Sequence, residues 1–389
     1  MANNNENKIL NVPNLRFPEF SGEWEIYPLT DFMSFKNGMN PDAKRFGRGT
    51  KFISVMDILN NQFICYDNIR ASVEVVDGDI ETYGVNYGDI LFQRSSETLE
   101  DVGQANVYLD SKPAVFGGFV IRGKSKSNYY PMFFRYLLAS PTARKKIIVK
   151  GAGAQHFNIG QDGLSKVCLN IPSIQEQEKI AKLFECIDTR IATQNKIIED
   201  LKKLKSAISL KMLHSDSWEQ FKIQDIASIG RGRVISSVEI SQQENPLYPV
   251  YSSQTSNDGI MGYLDDFMFE GEYISWTTDG ANAGTVFYRN GKFNCTNVCG
   301  LLKLKKGFDA HFVSLVLAEA TRMYVSTNLA NPKLMNNTMG NIQIRLPKLE
   351  EQKRISVVFR KLHGLLETHN SLIIKYSKQK QYLLSQMFI

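Results

Sequence analysis

The sequence predicts an α+β chain in which two strand-rich globular domains are separated by two long helices forming an antiparallel coiled coil, with pseudo-twofold symmetry. Three observations predict it. The stretch "IPSIQEQEKIAKLFECID" at 171–188 returns as "LPKLEEQKRISVVFRKLH" at 346–363. The blocks preceding the two copies open on similar residues and close on an alternating strand running into a proline, "VCLNIP" and "IQIRLP". A chain of 389 residues with 43% hydrophobic content can bury more than one core. The expected order is a leader over 1–20, a first domain over 21–170, a central helix over 171–214, a second domain over 215–345 and a terminal helix over 346–389.

The helices follow from the repeat. At a constant offset, 172–214 aligns with 347–389 without a gap: Pro172 on Pro347, Glu176-Gln177 on Glu351-Gln352, Ile180 on Ile355, Phe184 on Phe359, Thr193 on Thr368 and Met212 on Met387. Apolar residues recur in steps of three and four at Ile180, Phe184, Ile187, Ile191, Ile198, Leu201, Leu204, Ile208 and Met212. They recur again at Ile355, Phe359, Leu362, Leu366, Ile373, Tyr376, Leu383 and Met387. This is the pattern of a coiled-coil seam. Ser173 and Glu176 make a capping box just after Pro172, whereas Lys348 replaces the serine in the second copy. A helix of ~40 residues is ~60 Å long. One narrow apolar stripe would leave most of its surface wet, which favours pairing with its duplicate over burial as a core helix, and pairing within the chain over pairing with another. Gln194 and His369 occupy matching seam positions, where polar residues fix register.

The blocks are duplicated more faintly. "WEIYPLTDFMSFKNG" from Trp24 aligns with "WEQFKIQDIASIGRG" from Trp218, matching Trp-Glu, Asp31 with Asp225 and Gly38 with Gly232. "YGDILF" at 87–92 is similar to "EGEYIS" at 270–275. Between these marks the blocks share little sequence. Runs such as "KFISV", "AVFGGFVI" and "GTVFYRNGKF", separated by Gly, Asn and Asp, predict strands and turns.

Composition excludes several classes. No apolar run approaches the ~20 residues of a membrane span, and "MANNNENKIL" is not a secretory signal, so the expectation is a cytoplasmic protein with no membrane contact. Cys65, Cys168, Cys186, Cys295 and Cys299 form neither CxxC nor a Cys/His zinc pattern and read as reduced packing residues. The net charge of +6 is concentrated in the helices. Residues 1–170 carry 19 basic against 18 acidic side chains and 215–345 carry 11 against 13, while the helical segments carry 8 against 6 and 8 against 3. Nucleic-acid binding must therefore be argued from organisation and not from the isoelectric point.

At this point the chain resembles the specificity (S) subunits of Type I restriction-modification enzymes. The resemblance covers about Arg16 to Ile389, and its most specific parts are the Trp-Glu openings and the P-x-x-E-Q helix starts at Pro172 and Pro347. It implies two target recognition domains, each reading one half of a split site in double-stranded DNA. It also implies paired helices that hold the domains apart and bind two methyltransferase subunits, with nuclease-translocase (restriction) subunits joining the complex. The chain itself would be non-catalytic and would bind no cofactor; S-adenosylmethionine, ATP and magnesium would be used by the other subunits. The physical logic agrees, because a reader of two half-sites needs two similar domains, a rigid spacer and contact surfaces free to diverge.

Catalysis finds little support. No Asn/Asp-Pro-Pro-Tyr/Phe tetrapeptide and no Walker loop occurs, and Pro41-Asp42-Ala43-Lys44, although it echoes a nuclease carboxylate-lysine run, lacks a second acidic partner for a metal. The rival is a coiled-coil scaffold without DNA readout. Base edges are read by Arg, Asn, Gln, Ser and Thr, and phosphates by Lys and Arg. Candidates in the first domain are Lys44, Arg45 and Arg48 in "DAKRFGRG", Arg94, Ser95 and Ser96 after a strand, and Gln155, His156 and Asn158 in "GAGAQHFN". His156 taken alone reads as a hydrogen-bonded structural histidine. In the second they are Arg231 and Arg233, Ser253 and Gln254 in "YSSQTS", Thr277 and Thr278 in "SWTTDGANAG", and Asn328 with Lys333.

Overall fold

The computed structural model describes residues 11–153, 155–326 and 331–389. The chain divides into two compact units, Met1–Lys196 with Asn370–Ile389, and Ile197–His369. Each unit is a globular domain together with half of each long helix.

In the first unit the chain enters through β1 (Glu25–Pro28), which pairs antiparallel with the exit strand β11 (Cys168–Ile171), Glu25 facing Ile171. The main sheet has the order β2 (Met33–Asn37), β9 (Val120–Ser125), β5 (Ile90–Gln93), β7 (Ala105–Val107). All four residues of β5 are buried, as expected for an inner strand covered on both faces. A second sheet has the order β4 (Ala71–Val73), β3 (Phe46–Ile53), β8 (Val115–Phe116), with β3 and β8 parallel. A small pair, β6 (Ser95–Ser96) with β10 (Phe157–Asn158), ties two loops together. Helix α1 (Pro131–Ala139) starts with proline in its first turn and buries Met132, Phe133, Phe134 and Tyr136 against the main sheet.

The second unit repeats this plan. β12 (Glu219–Lys222) pairs with β21 (Gln343–Leu346), and the main sheet runs β13 (Ala227–Arg231), β20 (Cys299–Leu304), β17 (Tyr273–Thr277), β18 (Val286–Arg289). The second sheet runs β15 (Ile260–Leu264), β14 (Tyr248–Tyr251), β19 (Lys292–Cys295), β16 (Phe269–Glu270), again with its β14–β19 pairing parallel. Helix α2, the long central helix, spans Ile174–Met212. Helix α3 (Ala310–Ala320), capped by Asp309 accepting from the Phe312 amide, takes the place of α1. The blocks share little sequence between the matched marks, yet the main sheets correspond strand for strand and both second sheets contain a parallel pairing, with β16 as an added fourth strand in the second unit. Different apolar residues fill equivalent cores, so topology persists where identity does not.

The terminal helix α4 spans Leu349–Gln386. Pairing is antiparallel within each unit. In the first, Phe184 meets Phe388, Lys380 binds Asp188 at 2.5 Å and Arg190 stacks over Tyr376. In the second, Met212 and Ile355 line one cleft, and Lys205 and His363 another. The seam is not uniform. Ile180, Phe184, Ile187, Leu383 and Met387 are buried in the first domain's core, and Ile355 and Phe359 in the second's. The outer parts of these helices are therefore core elements as well as a coiled coil, which corrects the expectation of pairing in place of core burial. Ile198 and Leu362 are buried; Ile191, Leu201, Ile208, Leu366, Ile373 and Tyr376 are half-buried. Leu204, expected in the seam, is 48% exposed and lies outside it.

The P-x-x-E-Q motif locks each helix to its domain. Gln177 donates from Nε2 to the Pro172 carbonyl at 3.0 Å and accepts at Oε1 from the Tyr130 amide at 3.0 Å, just ahead of α1. Gln352 repeats both bonds, to the Pro347 carbonyl at 2.8 Å and from the Asp309 amide at 3.0 Å. The capping box is half made. Ser173 Oγ accepts from the Glu176 amide at 3.4 Å, but the Glu176 carboxylate turns to Arg16, at 2.8 and 2.7 Å, and to Trp24 Nε1 at 3.3 Å. The Trp-Glu opening and the helix start thus touch each other. The cysteines also need a correction: Cys295 and Cys299 are buried, but Cys168 and Cys186 are exposed.

Candidate nucleic-acid interface

In each domain four loops meet at one end of the main sheet, and the shared glycine explains how. After β2 the chain crosses the turn 117–119 so closely that a Cβ on Gly38 would lie 2.0 Å from the Gly117 carbonyl oxygen. After β13, a Cβ on Gly232 would lie 1.6 Å from the Cys295 carbonyl oxygen. Only glycine allows either crossing. Parallel bridges follow at once, Met39 with Gly117 and Arg233 with Thr296. The third loop follows β5 or β17. Arg94 and Thr278 donate their amides to the turn, to the Phe119 carbonyl at 2.9 Å and the Val298 carbonyl at 3.2 Å. The fourth loop is held by the Ile159 amide donating to the Arg94 carbonyl, and by the Leu334 amide donating to the Thr278 carbonyl, each at 2.9 Å.

This junction brings together most of the first domain's candidates. The β6–β10 pair sets Ser95 opposite Asn158 and Ser96 opposite Phe157, with Ser95 Oγ bonded to Asn158 Oδ1. Gln155 and His156 stand exposed beside them; His156 is a surface side chain and not the structural histidine its sequence suggests. Arg94 is half-buried and reaches the Gly118 carbonyl at 3.3 Å. The basic run behaves differently from expectation. Lys44 is exposed, but Arg45 binds Asp79 and the Glu74 carbonyl, and Arg48 binds Glu74 at 2.7 Å. The Val76 amide, and then Arg45, hold the Asp79 carboxyl below the usual range. These two arginines brace the β3–β4 end with their charge compensated.

The second domain shows the same division. Arg231 donates from Nε to Asn336 Oδ1 at 2.9 Å, joining two of the loops, and Arg233 forms a two-pronged pair with Glu239, whose carboxyl it holds down. Thr277 and Thr278 are buried, at 1% and 0% exposure. Their hydroxyls donate to the Asn282 carbonyl and to the Val298 carbonyl. They build the loop and cannot present hydroxyls to a base, which corrects the expectation for both. Lys333 lies 3.6 Å from Asp279 on the neighbouring loop. Asn328 lies outside the described residues. Ser253 and Gln254 are half-buried on the loop after β14, where Gln254 Nε2 donates to the Ile260 carbonyl at 2.5 Å. That loop carries Asn257 and Asp258 at φ 49° and 53°, the left-handed region that Asn and Asp tolerate best after glycine. Arg289, 2% exposed, fixes it: the guanidinium stacks 3.6 Å from the Tyr251 ring centre and bonds Asp258 Oδ2 at 2.7 Å and Ser275 Oγ at 3.0 Å.

The rim of the first domain is also apolar, which residue types chosen for polar readout do not reveal. In the first domain a cavity of about 420 Å³ opens beside Ser95, lined by Met39, Phe46, Phe52, Met56 and Phe119, of which Phe119 is 69% exposed. Its only sequence signal was the phenylalanine of "FGGF", which looks like any strand residue until the Gly117-Gly118 turn pushes it outward. Among the described residues no group of three or more His, Cys, Asp or Glu is placed to hold a metal ion.

Two sheet domains of one plan, each with a loop junction at the end of its main sheet and each joined to paired helical segments, define a duplicated recognition protein. Comparison with known proteins supplies the family. The model of the Type I restriction modification DNA specificity domain matches twice, over residues 21–203 and 215–375, and the chain belongs to that family. Its role is sequence recognition of DNA in a Type I restriction-modification system, and the alternative of a helical scaffold is set aside. Among its relatives are two chains of Mycoplasma pneumoniae named as type I specificity subunits. One is 35% identical over 233 residues, covering 58% of this chain and 97% of the relative. The other is 36% identical over 241 residues, covering 58% and 94%. The crystal structure of a Type I restriction-modification S subunit from M. genitalium shares the fold, with a TM-score of 0.67 at 16% identity over 97% of this chain and 99% of that one. No helix among the described residues is long and apolar enough to cross a membrane.

Proposed function

We propose that each loop junction reads one half of a split site in double-stranded DNA, that the paired helices set the gap between the halves, and that they dock two methyltransferase subunits. The observation that carries this reading is the repetition of one four-loop junction on one topology with different side chains at its rim. Duplication of framework with divergence of rim is what reading two different half-sites requires. In the first domain the readers are Arg94, Ser95, Ser96, Gln155, His156 and Asn158, with Lys44 on phosphate and Phe119 beside an apolar pocket suited to a thymine methyl group. In the second they are Ser253, Gln254 and Lys333, with Arg231 and Arg289 positioning the loops. Restriction subunits join through the assembly. S-adenosylmethionine, ATP and magnesium are used by the other subunits, the methyltransferase and restriction subunits, and the complex works in the cytoplasm.

The test is native mass spectrometry of the chain purified with its cognate methyltransferase. Two methyltransferase copies per chain are expected, with methyl transfer only in the assembly. A limiting ratio of one to one, or methyl transfer by the chain alone with S-adenosylmethionine, would overturn the reading.

A further inference from the structure

The two helix starts share their glutamate, glutamine and isoleucine, yet one corner is filled by the chain itself and the other is open. In the first unit the leader runs over the corner. Arg16 places its guanidinium on the Glu176 carboxylate with two bonds, at 2.8 and 2.7 Å, and Glu176 is 1% exposed. Phe17 packs on the core and under Lys179, 4.9 Å from its ring centre, while Glu19 pairs with Lys179. Trp24, 2% exposed, closes the corner from beneath. The occupant is thus the stretch Arg16-Phe17-Pro18-Glu19.

The second unit keeps the receiving residues. At the offset that superposes the helices, Glu176 becomes Glu351, Lys179 becomes Arg354, Ile180 becomes Ile355 and Leu183 becomes Val358, while Trp218 stands for Trp24. Here only the short connector 213–217 joins the end of α2 to Trp218, and His214, Ser215 and Ser217 from it line the cleft at this corner without filling it. Glu351 and Arg354 are exposed, and Trp218 is half-buried. Together with Met212, Ile355 and Val358 they line an open cleft of about 560 Å³.

We infer that this cleft is a docking site for a segment of a partner protein with the chemistry of the leader: an arginine for Glu351, an aromatic ring on the apolar floor beside Trp218, and an acidic residue two positions beyond the ring for Arg354. The occupant is argued from complementarity. The same carboxylate, cation and tryptophan already hold such a stretch in the first unit, and a buried arginine–carboxylate fork is selective for arginine over lysine. The site occurs once per chain, so it gives the second domain a contact that the first makes with its own leader. This inference does not depend on DNA reading.

The experiment uses the full chain and a fluorescent peptide of residues 11–20, NVPNLRFPEF, followed by anisotropy. Saturable binding of one peptide per chain is expected. It should weaken at least tenfold in Glu351→Gln, and equally when the peptide's arginine is replaced by alanine. A photo-crosslinker at the peptide's first phenylalanine should label the segment around Trp218 and Arg354. Absence of saturation up to about 1 mM, the edge of weak recognition, would overturn the proposal, as would binding indifferent to Glu351→Gln. Sedimentation of the chain alone supplies a second check: self-association lost in Glu351→Gln would reassign the cleft to the leader of a second copy and overturn the partner reading.

Discussion

The two domains agree where chain meets chain and differ where chain meets solvent. Gln177 and Gln352 make the same pair of bonds, to a proline carbonyl five residues back and from the amide leading into the following domain helix. Gly38 and Gly232 permit the same backbone crossing. At the rim nothing is repeated: the first domain presents Arg94, Ser95 and Asn158 where the second has a buried Thr278 and presents Asp279 and Lys333. Hydrogen bonds and close backbone crossings fix residue identity because both partners must fit, whereas the apolar core tolerates substitution. A rim side chain answers only to its ligand, and two different ligands let the two rims drift apart.

The largest expected difference between the domains lies at the leader. Arg16→Ala leaves Glu176 buried without its guanidinium and should cost the first unit ~3 kcal/mol. Glu351→Ala, at the exposed counterpart, should change stability by less than ~0.5 kcal/mol. Thermal unfolding of the two variants measures both, and equal losses would break the distinction between a closed and an open corner.

Next come changes that should affect both domains alike. Gly38→Ala and Gly232→Ala force a Cβ against a backbone carbonyl and should each destabilise their own domain by ~2 to 3 kcal/mol. Gln177→Ala and Gln352→Ala each strip an amide and a proline carbonyl of their partners, at ~1 to 3 kcal/mol. Denaturant titration followed by hydrogen exchange localises each loss to one unit. A cost confined to one member of either pair would show that the duplicated motif has lost its role there.

The smallest effect is a response to acid. In the second domain, burial and the nearby Arg360 cation depress His311 to about 4, while its Nδ1 lies 2.7 Å from Ser356 Oγ. The corresponding position at the start of α1 is Met132. A folded pKa below the unfolded value near 6.5 means that the unfolded chain binds the extra proton, so stability is full above pH ~6.5 and declines as pH falls towards 4. The ring is partly solvent-screened, so the loss should be ~1 to 2 kcal/mol. His311→Met should remove this slope. A slope unchanged in that variant would place the acid response elsewhere.

How much of this was legible beforehand depended on how far apart the interacting residues lie. The helices were readable because the signal is local: apolar steps of three and four, repeated. Their outer turns were misjudged as coiled coil alone because Trp24, Phe133 and Phe388, which share a core with Phe184, are scattered along the chain. The Glu-Gln pair at the helix starts was visible as a motif, but its meaning rests on Arg16, Tyr130 and Asp309, far away in sequence. The interior of the domains hid its duplication because a pleated core accepts many apolar residues. Among the candidate readers, residue type placed several on the loops that meet at the end of the main sheet. It could not tell that Arg48 faces Glu74, 26 residues on, or that Thr277 and Thr278 point inward to tie their own turn.

The central claim is that the two junctions read independently. The most direct measurement replaces residues 21–170 with the corresponding block of a relative and maps methylated bases in cells expressing the chimera with the cognate methyltransferase. The account predicts a new sequence in one half of the site, with the other half unchanged. A change in both halves, or in neither, would contradict it.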